Sequence, residues 1–327
     1  MSRILFHCVH DATSLNAVAD LALRARDVGH EIAFHFARGG AYPPCREWLQ
    51  KYSVREVTDN PSAYQAQVMI VTDCGGWDRT TNQEYVIDIG HGLGSKDRYY
   101  LPDTPYKADV TLMPSQYIRE LAGRGEDEKF RVVGIPKLDR FHRKPATNFL
   151  PHVLVAPTFN PGYNCLEMIA PYLQGLTENY QVRVRPHPHF FASGDPAVKY
   201  WVSFFQSPPE GVTISPNTFV VDDLIWADVV VSDISSVYLE ALACGLPVVV
   251  CESPTMTRGV DLRRTEYRFL RYVTSWTGVW PGLESTVDYT LRHETSLPRP
   301  PLNDFLFPRP PLNDFPGEGI QKVLELL

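Results

Sequence analysis

Short runs of β-branched and apolar residues recur along this chain, and stretches with helical spacing separate them. The first run is Ile4 to Val9. A segment carrying Leu15, Val18, Ala22 and Ala25 on one face follows, with Ser14 as the expected N-cap and Gly29 as the stop. Glu31-Ile32-Ala33-Phe34 opens the next strand. Further runs are Val68 to Val71, Tyr85 to Ile89 and Val110 to Met113. Continuous rather than alternating apolar runs suit strands covered on both faces, so the pattern predicts an α/β fold with a parallel sheet.

The pattern then breaks and restarts. His142 to Asn148 is polar, and the alternation resumes at Val153-Leu154-Val155-Ala156. It continues through Val182-Arg183-Val184, Val229-Val230-Val231 and Val248-Val249-Val250. The chain has 327 residues, which at roughly 150 per domain fits two domains. We therefore expect a doubly wound domain over residues 1–145 and a second over 146–297. In such a pair the strand ends of both halves would meet a ligand in a central cleft. Residues 298–327 form a tail. There Pro298-Arg299-Pro300-Pro301-Leu302-Asn303-Asp304-Phe305 recurs as Pro308-Arg309-Pro310-Pro311-Leu312-Asn313-Asp314-Phe315. The prolines predict an extended connector or a partner-binding segment, and a short helix from Gly319 to Leu327 closes the chain.

Charge narrows the function classes. Lys and Arg number 31 against 38 Asp and Glu, a formal net charge of -7, and a dedicated nucleic-acid binder would be basic. No apolar run approaches the ~20 residues that span a bilayer. None of the six cysteines forms a CxxC pair, so zinc-site spacing is absent and a reduced, cytoplasmic compartment is expected. Asp222-Asp223 reads as a helix-start pair without a third ligand nearby, and no metal site or permanently bound cofactor is expected.

Three clusters carry candidate chemistry. In Ser232-Asp233-Ile234-Ser235-Ser236 a buried strand ends in a polar turn and a helix begins. Free N–H groups at a helix start favour an anion, and Ser235 and Ser236 add hydroxyls. Glu240 lies one turn further on, within reach of a ribose hydroxyl; equally, the serines only cap and Glu240 is solvated. Arg185-Pro186-His187-Pro188-His189 follows a strand directly, and its prolines stiffen the loop. Arg185 and His187 suit a diphosphate leaving group by charge and proton donation. In Gly90-His91-Gly92-Leu93-Gly94-Ser95-Lys96 a histidine stands between glycines at a strand end. His91 is the candidate general base, because imidazole titrates near neutrality, and Lys96 is placed to offset phosphate charge. His7 and His10, around the end of the first strand, are candidate acceptor contacts.

These clusters, with Gly134-Ile135-Pro136-Lys137-Leu138-Asp139 and Ala156-Pro157-Thr158-Phe159 between them in order, resemble the CDP-glycerol glycerophosphotransferase family of teichoic-acid primases, polymerases and capsule enzymes. The resemblance covers roughly residues 85 to 252. It implies a GT-B fold and transfer of a polyol phosphate from a CDP-linked donor to a hydroxyl acceptor, glycan or lipid-linked, with peripheral membrane contact as one setting. By that resemblance His91 takes the acceptor proton, and His187 and Arg185 stabilise the departing nucleotide. Thr158, Asp233, Ser235, Ser236, Glu240 and Lys96 hold donor phosphate and nucleotide. The sequence departs from the family in having Ile234 at an aromatic position and no proline before Lys96. A sugar-nucleotide glycosyltransferase of the same fold, a nucleotide-sugar 2-epimerase and a catalytically silent nucleotide-binding scaffold are the competing readings.

Overall fold

The computed structural model describes residues 1–37, 43–58, 60–73, 77, 85–91, 93, 106–144, 150–159, 164–192, 196–252, 274–276, 282–292 and 313–327. The chain divides into two compact units, Met1–Arg140 with Pro311–Leu327, and Phe141–Pro310.

The first unit is built on a seven-stranded sheet. Its strands are β1 (Arg3–Cys8), β2 (Glu31–Phe36), β3 (Arg55–Glu56), β4 (Val68–Val71), β5 (Tyr85–Asp88), β6 (Val110–Met113) and β7 (Phe130–Val132). They run in the order β3-β2-β1-β4-β5-β6-β7, and every pair is parallel. Ile4, Leu5, Phe6, Ile70, Val71 and Val86 are fully buried, as strands covered on both faces require. Helix α1 (Asp11–Asp27) follows β1. It starts three residues before the expected cap. His10 is the N-cap, and Ser14 instead accepts the His10 N–H on Oγ at 2.9 Å from inside the first turn. Thr72 Oγ1 donates to the same hydroxyl at 2.7 Å, tying the helix start to the end of β4. The stop is as expected: Gly29 has φ +102°, which a side chain would strain.

The second unit carries a six-stranded sheet: β8 (His152–Ala156), β9 (Gln181–Val184), β10 (Val212–Ile214), β11 (Val229–Ser232), β12 (Val248–Cys251) and β13 (Thr274–Trp276). Their order, β10-β9-β8-β11-β12-β13, repeats the 3-2-1-4-5-6 winding, again parallel throughout. A core of Val153, Val155, Val229 and Val231 packs with Leu166, Ile169 and Leu173. In each unit the strand order reverses between the first strand and its neighbour, β1/β4 and β8/β11. Crevices outside the C-terminal strand ends at such points are where ligands bind in open α/β sheets.

The chain returns to the first unit at its end. Asp314 N–H donates to the Pro114 carbonyl at 3.1 Å, and the Gln116 amide donates to Asp314 Oδ2 at 2.7 Å. The last helix (Gly319–Leu324) is capped from afar: Asp139 accepts the Gly319 and Ile320 amides at 3.0 and 2.6 Å. Part of the second copy of the tail repeat, Asn313-Asp314-Phe315, is thus an anchor rather than a free connector. The first copy lies outside the described residues.

Candidate functional site

At the switch point of the first unit, three strand ends deliver three side chains. His10 follows β1, Thr72-Asp73 follows β4, and His91 follows β5. Asp88, at the end of β5, accepts the Gly90 amide at 2.9 Å. Gly90 takes φ +65°, and this turn aims His91 back over β4. Asp88 is buried, and burial above all raises its carboxyl to about 7. His91 Nδ1 lies 2.9 Å from the Thr72 carbonyl oxygen. A carbonyl only accepts, so Nδ1 carries the proton and the lone pair sits on Nε2. Burial, then the neighbouring His10, pushes the imidazole down to about 4. His91 is therefore neutral at pH 7, with its acceptor nitrogen fixed.

Asp73 links the two rings. Its Oδ2 is 2.9 Å from His10 Nε2 and 3.9 Å from His91 Nδ1. The ring centroids of His10 and His91 are 5.0 Å apart. Trp77 Nε1 donates to the Asp73 carbonyl at 2.7 Å and fixes this loop. Lys137 Nζ donates to the His91 carbonyl at 3.0 Å, which explains what the Gly-Ile-Pro-Lys-Leu-Asp segment does. Gly134, with φ +86°, presses against Asn313 and Phe315, Lys137 holds His91, and Asp139 caps the last helix. Local spacing gives no sign of these links, which join residues far apart in sequence.

His7 does not join the cluster. Its side chain is buried against His35 on the neighbouring strand, Nδ1 to Nδ1 3.1 Å, and burial takes it down to about 4. The strand register His7↔His35 explains this, and the placement corrects the expectation of an acceptor contact there. Lys96 lies outside the described residues.

At the switch point of the second unit, Asp233 is fully buried and ties three segments together. Both of its oxygens accept the Thr158 amide, at 3.0 and 2.9 Å; Oδ2 accepts the Cys165 amide and Oδ1 the Ser235 amide, each at 3.0 Å. Asp233 thus shapes the loop after β8 and the start of the helix Ser236–Ala243, and its acceptors are turned inward. Ser235 is the N-cap by position but makes no side-chain capping bond. Its hydroxyl lies 2.9 Å from Ser232 Oγ and donates to the Ala156 carbonyl at 3.3 Å, while Ser232 donates to the same carbonyl at 2.6 Å. Thr158 is buried, and Ser236 is partly exposed at the first position of the helix. Glu240 is buried on that helix, not solvated.

Arg185 and His187 follow β9. The Arg185 guanidinium is taken up by protein. Nη1 bonds Asp223 Oδ2 at 2.6 Å and the Asn217 carbonyl at 2.9 Å, and Nη2 bonds the Thr218 carbonyl at 3.0 Å. Asp223, fully buried, also receives Arg183, Ser215 and Asn217. Arg185 and Asp223 therefore brace the loop before the helix Val220–Trp226. Any diphosphate would have to share that guanidinium. His187 Nδ1 accepts the His189 amide at 3.2 Å, so neutral His187 presents Nε2–H as a donor. Its ring stacks on His189, with centroids 5.1 Å apart, and Phe159 lies beside both. His189 is partly buried in this stack.

Among the described residues, His10, Asp73 and His91 also offer one ligand atom each within 4.8 Å of the others. Local spacing does not reveal this set, because its members are scattered along the chain. No described helix is long and apolar enough to cross a membrane.

Two parallel-sheet units with this winding define an α/β fold of the GT-B type. Solved structures that share it include the wall teichoic acid polymerase TagF, in a variant soaked with CDPG, at 13% identity and a TM-score of 0.66 over 99% of this chain and 88% of that one. The UDP-GlcNAc 2-epimerase of Methanocaldococcus jannaschii, solved with UDP-GlcNAc and UDP, matches at 11% identity and a TM-score of 0.56 over 99% and 98%. The glycotransferase of kitacinnamycin matches at 11% and 0.51 over 91% of each chain. No protein-family model matches the sequence, and no curated protein matches it. The likeness is one of fold.

Proposed function

We propose that this chain is a transferase that binds a nucleotide-linked donor and moves a polyol phosphate from a CDP-linked donor to a hydroxyl acceptor, with His91 as general base. The observation that carries the reading is the tautomer of His91. The Thr72 carbonyl holds the Nδ1 proton, so Nε2 is the nitrogen available to an acceptor hydroxyl. As that proton arrives the ring becomes cationic, and the Asp73 carboxylate, 3.9 Å from Nδ1, offsets the charge. The second unit supplies the donor-holding residues around Thr158, Ser235, Ser236 and Glu240, and His187 donates from Nε2 to the leaving phosphate. In-line transfer at phosphorus needs little from the protein beyond such positioning and charge stabilisation. The bound nucleotides of the structural neighbours, CDPG in TagF and UDP in the epimerase, support a nucleotide-linked donor.

A second reading is epimerisation of a nucleotide sugar. Asp73 favours it, since a part-exposed carboxylate beside two imidazoles is a proton-handling group in its own right. One experiment separates the readings. Thermal unfolding is followed with CDP-glycerol and with UDP-N-acetylglucosamine, and ligand at 100 times its dissociation constant stabilises the native state by about 2.7 kcal/mol. CMP release to polyol and glycan acceptors is then compared with deuterium exchange at the sugar C2. Stabilisation by CDP-glycerol, with CMP release that falls ~100-fold or more in His91→Ala while binding persists, supports the transferase. Exchange at C2 supports the epimerase. Unchanged turnover in His91→Ala overturns the base assignment.

A further inference from the structure

We infer that His10, Asp73 and His91 form a binding site for a divalent transition-metal cation. Each side chain stands at the C-terminal end of a different strand, β1, β4 and β5. These strands are consecutive neighbours in the sheet, so the ~4.8 Å strand spacing itself brings the ligands to one place. The Oδ2 of Asp73 lies 2.9 Å from His10 Nε2 and 3.9 Å from His91 Nδ1. One ligand atom from each residue falls within 4.8 Å of the others. Tetrahedral zinc with bonds of about 2.0–2.1 Å holds its ligand atoms roughly 3.3 Å apart. Closing the set through Nδ1 therefore needs the His91 proton to move to Nε2, giving up the bond to the Thr72 carbonyl, and shifts of about half an ångström in these two separations, one outward and one inward.

Donor chemistry selects the cation. Two imidazole nitrogens and one carboxylate oxygen suit zinc and its first-row neighbours, not calcium or magnesium, which take oxygen ligands. With neutral imidazoles, the single carboxylate gives the set a charge of -1. The side chains of His10, Asp73 and His91 keep 24%, 15% and 20% of their surface exposed, so an ion can enter from solvent and keep a water on its open side. The backbone around the ligands is already fixed: Trp77 holds the Asp73 carbonyl and Lys137 the His91 carbonyl. Such outer bonds orient the ligands of metal sites. A cation on His91 competes with proton uptake by the same ring. On the transferase reading it is therefore an inhibitor that a chelator reverses; the binding itself does not depend on that reading.

The full chain, stripped with a chelator, is titrated with zinc chloride by calorimetry and separately with cobalt chloride by visible absorption. The expected result is one ion per chain and a tetrahedral or five-coordinate cobalt spectrum without a thiolate charge-transfer band. Affinity should fall about tenfold or more in His10→Ala and in Asp73→Asn, with melting temperatures of the metal-free variants recording that they fold. No uptake at about 1 mM zinc, an affinity of only ~4 kcal/mol or less, overturns the site. So does binding that survives both substitutions or shows a thiolate band, because either result assigns the metal to other ligands. If zinc binds as expected but CMP release is never detected with any acceptor, the metal site stands and the transferase reading falls.

Discussion

Replacing Asp233 with asparagine tests how the second unit holds its candidate donor loop. Three backbone N–H groups converge on this carboxylate. Thr158 reaches both oxygens, Cys165 reaches Oδ2 and Ser235 reaches Oδ1. Asparagine keeps one oxygen and turns an amide NH2 toward the other position. Whichever way it flips, Thr158 and one further amide keep an acceptor, and the remaining amide faces a donor. A hydrogen bond to a charged acceptor contributes about 1.5–3 kcal/mol, and a buried donor left unmet costs about 1–3 kcal/mol. The two retained bonds also weaken as the acceptor becomes neutral. The expected loss is about 3–5 kcal/mol, a large share of the ~5–15 kcal/mol that stabilises a typical domain. Urea unfolding reads the total. Amide hydrogen exchange reads its location: protection at Cys165 or Ser235 should drop ~100-fold or more, while the strand amides of Val229–Ser232 change less. A loss below ~1 kcal/mol with unchanged exchange at both amides would refute the view of Asp233 as the knot of this turn.

Other consequences are as direct. His7 is neutral in the fold down to about pH 4 but takes a proton near 6.5 when unfolded. The unfolded chain therefore binds more protons between those limits. This contribution, about 3 kcal/mol, is present above pH 6.5 and is lost as pH falls toward 4. In His7→Leu the slope of unfolding free energy against pH should drop by ~1.4 kcal/mol per pH unit in that window; equal slopes would show that His7 titrates normally. Asp223→Ala strands Arg183 and Arg185 without their shared buried counter-charge and should cost about 3–5 kcal/mol by urea unfolding. Gly134→Ala would place a methyl 2.7 Å from Asn313 Oδ1 at a φ of +86°. It should destabilise the first unit by more than ~1 kcal/mol and expose the C-terminal segment to limited proteolysis, and an unchanged cleavage rate would contradict the docking.

What the sequence disclosed, and what it hid, follows from range. Val153 to Ala156 and Val229 to Val231 read as strands because a strand buried on both faces has no polar alternation to conceal. His91 stood out because its flanking glycines and strand end are local signals. Asp73 also followed a strand directly, yet its partners, His10 and His91, lie on other strand ends, and only the sheet order makes them neighbours. Arg185 has the pattern of a phosphate ligand. Its protein partner, Asp223, is 38 residues away and belongs to a helix start that local reading treats as separate. Ser14 reads as a cap because Ser is a favoured cap anywhere. Its hydroxyl does serve the helix start, from one turn further in.

The route of the chain also sets an order of assembly. The second unit is one uninterrupted stretch, whereas the first is completed by residues that follow it. Gln116 must wait for Asp314, 198 positions later, to cap the start of its helix. During synthesis the early sheet can form, but Asp139 has no helix to cap until Gly319 and Ile320 have been made. Closing so long a loop is slow. A chain released before Asn313 would keep the second unit and lose the bonds that join Asp314 to Gln116 and the last helix to Asp139, so nascent molecules acquire the second unit before their first is finished.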